Sequence, residues 1–451
     1  MTLLTVVLAA VSFAADPVTD APQTHATATL LNNGLTVILE PQDRTGQVAL
    51  DVKYRVGSRD ERDGEHGCAH LFEHLMFEGS KGVPNNAFDV WLTAAGGENN
   101  AYTSEDETVY TMTFPSNALD LALFLESDRM GFLDAGLDQA NVTNQQSVVL
   151  QERATGYAAP RGREDDAISR LLWPSTHPYH VPVIGTVADV SGFQIDKVRD
   201  FWSRHYLPSN ATLVLVGNFD PAVALEQITH WFSDVPNRGD AAPRVAEQVP
   251  PDSVAQGKLE DDVEDRTVHL VWPTVARGST DEAALDLLSW VLDGGRGTRI
   301  DDAIYYKHPL ANDWMVGHWT RDLVGEFQVT VTSDTVPLET LSKVVLREIA
   351  RVAKKAPTDA EVARARHTAW SYMEDALEAP ADRAAMLLAC WDRYHDPNCM
   401  PREKARYDGV TAEDVRRVAA KYLVPTRMTT LSVVPNGDDG ALPGAAPVEL
   451  P

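Results

Sequence analysis

At 451 residues the chain exceeds what one ordinary hydrophobic core supports and fits two domains of roughly 200 residues each. Its 44% hydrophobic and 23% charged residues are those of a globular protein, and after the N-terminus no apolar run is long enough to cross a bilayer. The 66 acidic residues outnumber the 39 basic ones, giving a formal charge of −27; such a surface repels nucleic-acid phosphates and attracts basic peptides without selecting one.

Residues 1–15, MTLLTVVLAAVSFAA, form an apolar run ending in small residues, with Ser12 and Ala14 spaced as at a leader cleavage site. This signal peptide predicts export to the periplasm or the extracellular space, although no Lys or Arg precedes it. From Thr27 a strand, the Asn33-Gly34 turn and the strand LTVILE (Leu35 to Glu40) predict a hairpin, and Val48 to Ser58 alternates as a further strand. A helix follows around His70. Ser116 then reads as the N-cap of a helix running to about Met130.

FQIDKVRDFWSRHYLPSNATLVLVGN, ending at Asn218, is repeated as VTAEDVRRVAAKYLVPTRMTTLSVVPN, ending at Asn436, in the order helix, Tyr-Leu, proline turn and buried strand. Tyr206 matches Tyr422, and Thr212 to Val216 match Thr430 to Val434. Residues 236–258, rich in proline and small polar residues, read as a linker. A second strand and helix set follows, with Thr267 to Trp272, Leu285 to Leu292 and Phe327 to Thr332. The reading is an α+β protein of two homologous domains, 24–235 and 259–440, each an antiparallel-rich sheet covered by helices. Cys390 and Cys399 could pair in an oxidising space, leaving Cys68 free, and three unrelated buried thiols fit the sequence equally well.

The chemistry lies in HGCAHLFEHLMFEGS, which holds His70, Glu73 and His74 as H-x-x-E-H, a pattern known from inverted zinc-peptidase motifs. On a helix these spacings put both imidazoles on one face, with the carboxylate beside them. Two imidazoles suit zinc, and a position left to water makes the site catalytic. Glu73 is then the base that takes a proton from that water. The competing reading is a helix with two surface histidines. His66 reads as loop.

Around this motif stand VGSRDE, GGENNAYTSEDETVY, LFLESDRM, NQQSVVLQER, HPYHVPVIGT and YLPSNATLVLVGNFDP in series. With them the sequence resembles the pitrilysin/insulinase family of zinc peptidases, which includes the mitochondrial processing peptidase. The resemblance implies half of a clamshell, a Zn2+ cofactor with Glu152 as third ligand, and a substrate strand from Gly96 to Tyr110 with Asn100 and Ala101 near the scissile bond. An extended peptide would add there through main-chain hydrogen bonds. Glu126 competes with Glu152 on spacing but reads as a cap or salt-bridge residue. Where many relatives carry a further glutamate, this chain has Gln145, which cannot transfer protons.

The resemblance also implies an arginine and, seven residues on, a tyrosine in the second half. The preceding turn is present as GGRGTRI (Gly294 to Ile300), but Tyr305 and Asn312 occupy those two places. Arg296 and Arg299 are local substitutes, both read as lying in the turn. The expectation is a zinc endopeptidase subunit completed by a homologous partner carrying the Arg/Tyr pair. The rivals are a non-catalytic assembly subunit of the same fold and a self-sufficient homodimeric peptidase.

Overall fold

The computed structural model describes residues 23–42, 46–240, 244, 254–375 and 377–450; the leader expected at 1–15 and most of the expected linker lie outside these. The Asn33-Gly34 pair makes the anticipated turn. Gly34 takes φ +91°, open to glycine without a Cβ penalty, and the Asn33 side chain accepts from the Leu35 N–H at 3.2 Å. β1 (Thr27–Leu30) and β2 (Thr36–Pro41) pair antiparallel across it.

The first sheet continues with β3 (Gln47–Tyr54), β4 (Glu98–Thr103), β5 (Thr108–Pro115) and β6 (Ala211–Gly217), in the order β1-β2-β6-β3-β5-β4. The second comprises β7 (Gln256–Asp261), β8 (Arg266–Pro273), β9 (Asp313–Thr320), β10 (Gly325–Ser333), β11 (Thr429–Pro435) and β12 (Ala446–Pro447), ordered β12-β7-β11-β8-β10-β9. Five strands follow the same order in both sheets, β2-β6-β3-β5-β4 and β7-β11-β8-β10-β9, each with a matching parallel pair, β2 with β6 and β7 with β11, whereas the sixth strand differs, β1 lying antiparallel to β2 and β12 parallel to β7. Alternation along β3 sends Val48, Leu50 and Val52 into the main core of the first half, as Val268, Leu270 and Trp272 of β8 enter that of the second.

The repeat is real but its strand match is displaced by one residue. Leu213 and Leu215 face the first main core while Val214 and Val216 face outward; in β11 it is Leu431 and Val433 that face outward. Because side-chain period is two, only the match of Val214 with Leu431 preserves faces. The short turns Pro208–Asn210 and Pro425–Arg427 agree with it. Two further boundaries move. β7 begins at Gln256, inside the stretch read as linker, because it pairs in parallel with β11, and its buried positions Gly257 and Asp261 carry no apolar signal. Ser116 opens a 3-10 turn rather than capping the helix, which spans Leu119–Phe132.

The outer faces of the sheets are covered by exchange. The helix Glu164–Leu172, from the first half, lays Ala167, Ile168 and Leu172 against Leu259, Val271 and Leu431 of the second sheet. The helix Pro380–Tyr394, from the second half, lays Ala384, Leu387 and Leu388 against Ile38, Val109 and Val214 of the first. Asp392 of that helix pairs with Lys53, and Cys390, near its end, is disulfide-bonded to Cys399, while Cys68 is free and buried. The two halves of the sequence are therefore cross-braced, each sheet depending on apolar surface supplied by the other half.

Candidate metal centre and the strand beside it

The helix Cys68–Leu75 starts at Gly67, whose φ of +94° lets the chain pass close to Ile184. Its first N–H groups have no helical acceptor, and Glu61 of the VGSRDE segment supplies one, accepting from Gly67 at 3.0 Å and Ala69 at 2.8 Å. Burial pushes the Glu61 carboxyl up to about 7, against the pull of these hydrogen bonds. Leu71, Phe72 and Leu75 are buried in the core, so the opposite face presents His70, Glu73 and His74.

Glu152 comes from the long helix Gln139–Ala158, started by a capping box between Asp138 and Asn141. Its carboxylate lies 3.9 Å from His70 Nε2 and 3.5 Å from His74 Nε2. One donor atom from each of the three residues lies within 4.8 Å of the others, the only such metal-competent group among the described residues. Donors at zinc bond lengths in a tetrahedron stand roughly 3.4 Å apart, so this set fits the ion that the motif implies. Burial, with His74 nearby, pushes His70 down to about 4, so its imidazole is neutral and its lone pair available at neutral pH. The spacing of the two helices is fixed by Glu78, which accepts from Asn141 at 3.1 Å and from the amide of Gln145. Gln145 thus holds helices together.

Glu73 is not part of the ligand group. Thr103 Oγ1 donates to its Oε2 at 2.6 Å, and desolvation raises its pKa above the usual carboxylate value, opposed by that hydrogen bond and reinforced by Glu152. Thr103 ends β4, an edge strand that pairs with β5 alone. Asn100 and Ala101 lie in the same strand, Asn100 exposed, with its side chain accepting from the Ala101 N–H at 2.9 Å. The sequence reading missed Thr103 and Glu61, although both stand inside segments it singled out. Nothing in their spacing says that one would meet Glu73 and the other the helix N-terminus. The two discounted candidates are engaged elsewhere. His66 sits in the turn before the helix, 3.8 Å from Glu61, and Glu126 is fully buried against Arg129, whose Nε donates at 2.9 Å.

The tip of the β4–β5 hairpin is clasped to the tip of the β9–β10 hairpin. Asp106 accepts from Arg59 at 2.9 Å, from the Tyr179 hydroxyl at 2.8 Å and from the Asp322 N–H at 2.9 Å. Arg244 donates to both Asp60 and Asp322 at 2.9 Å, and Arg321 reaches Glu105 at 3.0 Å. Asp106 and Arg59 are buried, where charge-assisted bonds are strong, so the second domain fixes one end of β4.

The second domain has a counterpart of the ligand-bearing helices. Arg204 bonds Glu65 at 3.0 Å before the first, and Lys421 bonds Asp281 at 3.0 Å before Glu282–Leu292. The helices Gln139–Ala158 and Asp359–Asp375 bury Val142, Gln145 and Val149 in the one and Val362, Ala365 and Ala369 in the other. In these registers His70, Glu73, His74 and Glu152 fall on Asp286, Ser289, Trp290 and Tyr372. Trp290 and Tyr372 stack, ring centroids 5.1 Å apart, as His74 and Glu152 adjoin. Of the residues read against the expected Arg/Tyr pair, Tyr305 is 47% exposed and packs on Trp314, and Asn312 reaches Asp265 at 3.4 Å. Arg296 lies over Tyr306, and Arg299 opens a short helix, rather than lying in the turn, and pairs with Glu361 at 2.7 Å.

The profile described as Insulinase (Peptidase family M16) matches residues 36–176, and that described as Peptidase M16 inactive domain matches residues 192–369. The chain belongs to peptidase family M16. Among the relatives of this M16 chain is the zinc protease PqqE of Helicobacter pylori, 28% identical over 91% of this chain and 93% of that protein. The crystal structure of a protease from Helicobacter pylori superposes with a TM-score of 0.84 at 26% identity, covering 92% of this chain and all of the other. The first half of the periplasmic protease PqqL from Escherichia coli shares the fold, with a TM-score of 0.77 at 21% identity over 92% and 94% of the two chains. No helix among the described residues is long and apolar enough to cross a membrane.

Proposed function

We propose that this M16 chain is the zinc-bearing subunit of an endopeptidase that cleaves short or unfolded polypeptides and is completed by a homologous partner. The observation that carries the reading is the convergence of His70, His74 and Glu152 within 4.8 Å, with Glu73 held at 2.6 Å by the end of an edge strand. Bound to those three residues, zinc would supply Lewis acidity, polarising a peptide carbonyl and easing the ionisation of water. Glu73, its basicity raised by burial, accepts the proton of the attacking water and can return it to the departing amine. An extended substrate pairs with β4 near Asn100 and Ala101, where main-chain hydrogen bonds hold it without demanding a sequence. The leader at 1–15 supports export, as does a periplasmic relative.

Tyr305 and Asn312 offer no cation and no second phenol where the resemblance calls for an Arg/Tyr pair, and their contacts lie within the second domain. Losing a positioned electrophile costs about two to three orders of magnitude in rate, so the partner supplies it. The test is a quenched peptide assayed with this chain, with a candidate homologous subunit, and with both. Only the mixture turns over, a chelator silences it, and Glu73→Gln retains zinc without turnover. Full activity of the chain alone would reject the partner, and activity in Glu73→Gln would reject the mechanism.

A further inference from the structure

The tip of the β4–β5 hairpin, Ser104 to Glu107, is closed on itself. The Ser104 N–H donates to the Glu107 carbonyl at 2.8 Å, and Ser104 Oγ accepts from the Asp106 and Glu107 N–H groups, both at 3.2 Å. Thr103, which donates to Glu73, is the last residue of β4 before this tip. Across the strand pair it faces Thr108, whose hydroxyl donates to the Val56 carbonyl at 2.9 Å. The place of the Thr103 hydroxyl therefore follows the place of the tip.

One buried carboxylate holds that tip. Asp106 Oδ1 accepts from Arg59 at 2.9 Å and from the Tyr179 hydroxyl at 2.8 Å, and its Oδ2 accepts from the Asp322 N–H at 2.9 Å. The Tyr179 oxygen in turn accepts from the Leu323 N–H at 3.1 Å, so two successive amides of the second domain end on this pair. Burial opposes ionisation of Asp106, but the bonds from Asp322, Arg59 and Tyr179 outweigh it and hold the carboxyl below its ordinary value. The Arg59 segment also lies along the hairpin backbone. Ser58 and Arg59 donate their N–H groups to the Ser104 and Glu105 carbonyls at 3.2 and 3.0 Å, and a Cβ on Gly57 would stand 2.4 Å from the Ser104 oxygen. Two residues beyond Arg59 comes Glu61, the acceptor at the start of the helix Cys68–Leu75. The end of β4 and the helix bearing Glu73 are thus held to one short stretch of chain, and Asp106 joins both to the second domain.

We propose that Asp106 is a positioning residue for Glu73: it fastens the hairpin tip to the second domain and so keeps the Thr103 hydroxyl on the Glu73 carboxylate. The second domain thereby acts on the reaction through the far end of a strand. The effect on turnover rests on the endopeptidase reading; the hold on β4 does not.

The experiment applies two readouts to the full chain carrying Asp106→Asn or Tyr179→Phe. On the zinc-stripped protein, hydrogen exchange of the amides of residues 98–108 should quicken by about ten-fold or more in each variant, while that of the helix Gln139–Ala158 stays as it is. In the mixture with the proposed partner, each variant should lower kcat about ten-fold at unchanged zinc content, the worth of one charge-assisted hydrogen bond. Added to Thr103→Val, Asp106→Asn should cost nothing further, because both break one chain of contacts. Tyr179→Phe removes a single oxygen and keeps the ring, so it carries the test if Asp106→Asn fails to fold. Unchanged exchange across residues 98–108 overturns the proposal. So does a loss that multiplies with that of Thr103→Val, by showing a separate route, and so does loss of zinc, by placing the effect on the ligand helix through Arg59 and Glu61. A wild-type mixture that does not turn over rejects the endopeptidase reading, and exchange alone then decides whether Asp106 holds the strand.

Discussion

The two domains share the order of five strands, flanking helices and even the salt bridge that precedes each central helix, yet they present opposite chemistry at the same place. In the first, four positions carry two imidazoles and two carboxylates. In the second, the matched positions carry Asp286, Ser289 and the stacked Trp290 and Tyr372, with Asp286 already bound to His318 and Tyr407. The fold tolerates both because packing rests chiefly on the apolar faces of these helices, Leu71, Phe72 and Leu75 in the first domain and Leu287, Leu288 and Val291 in the second, where Trp290 adds only a partly buried contact to the core. One scaffold can therefore carry a metal-competent group in one copy and an aromatic cavity in the other.

The largest effect that would probe this comparison comes from moving the second domain's pair into the first. His74→Trp with Glu152→Tyr removes two of the three proposed donors, so the purified chain should lose stoichiometric zinc and, with the proposed partner, all measurable turnover. Metal analysis decides it, with circular dichroism expected to stay unchanged. Retained zinc would mean that the ligands are not those three residues.

A smaller change isolates the base from the ligands. Thr103→Val removes the hydroxyl that donates to Glu73 and should lower kcat roughly ten-fold, the worth of one charge-assisted hydrogen bond. Zinc content should not change, because Thr103 touches no ligand donor. An unaltered kcat would show that β4 does not orient Glu73.

The smallest effect concerns the exchanged helix over the first sheet. Asp51 is buried on β3, with its Oδ1 unpartnered among the described residues. Burial, then the charges of Glu126 and Asp382, pushes its carboxyl up to about 8. A carboxyl whose folded-state pKa lies above its unfolded value weakens the fold as it ionises. The penalty is absent below about pH 4, grows as the pH rises toward 8 and is constant beyond. Asp51→Asn should flatten the fall in melting temperature between pH 4 and pH 8.5 while changing little at pH 4. An identical pH slope in the variant would mean that Asp51 is not its source.

Local order made much of this protein legible in its sequence. The Asn33-Gly34 turn, the alternation along β3 and β8, the duplicated helix-turn-strand unit and the H-x-x-E-H face of one helix are all set within a few residues, where backbone preference and periodicity act directly. The disulfide was only one of two open readings, because pairing requires knowing that Cys399 returns to the helix carrying Cys390. Tertiary structure alone decided the rest. It placed Thr103 on Glu73 and Glu61 on the helix N-terminus, gave β7 a parallel partner that its composition does not announce, and shifted the strand match of the repeat by one residue. It also covered each sheet with a helix from the other half of the chain. These outcomes depend on contacts between residues far apart in sequence, where the burial of one apolar face against another selects among arrangements that local preference leaves equal.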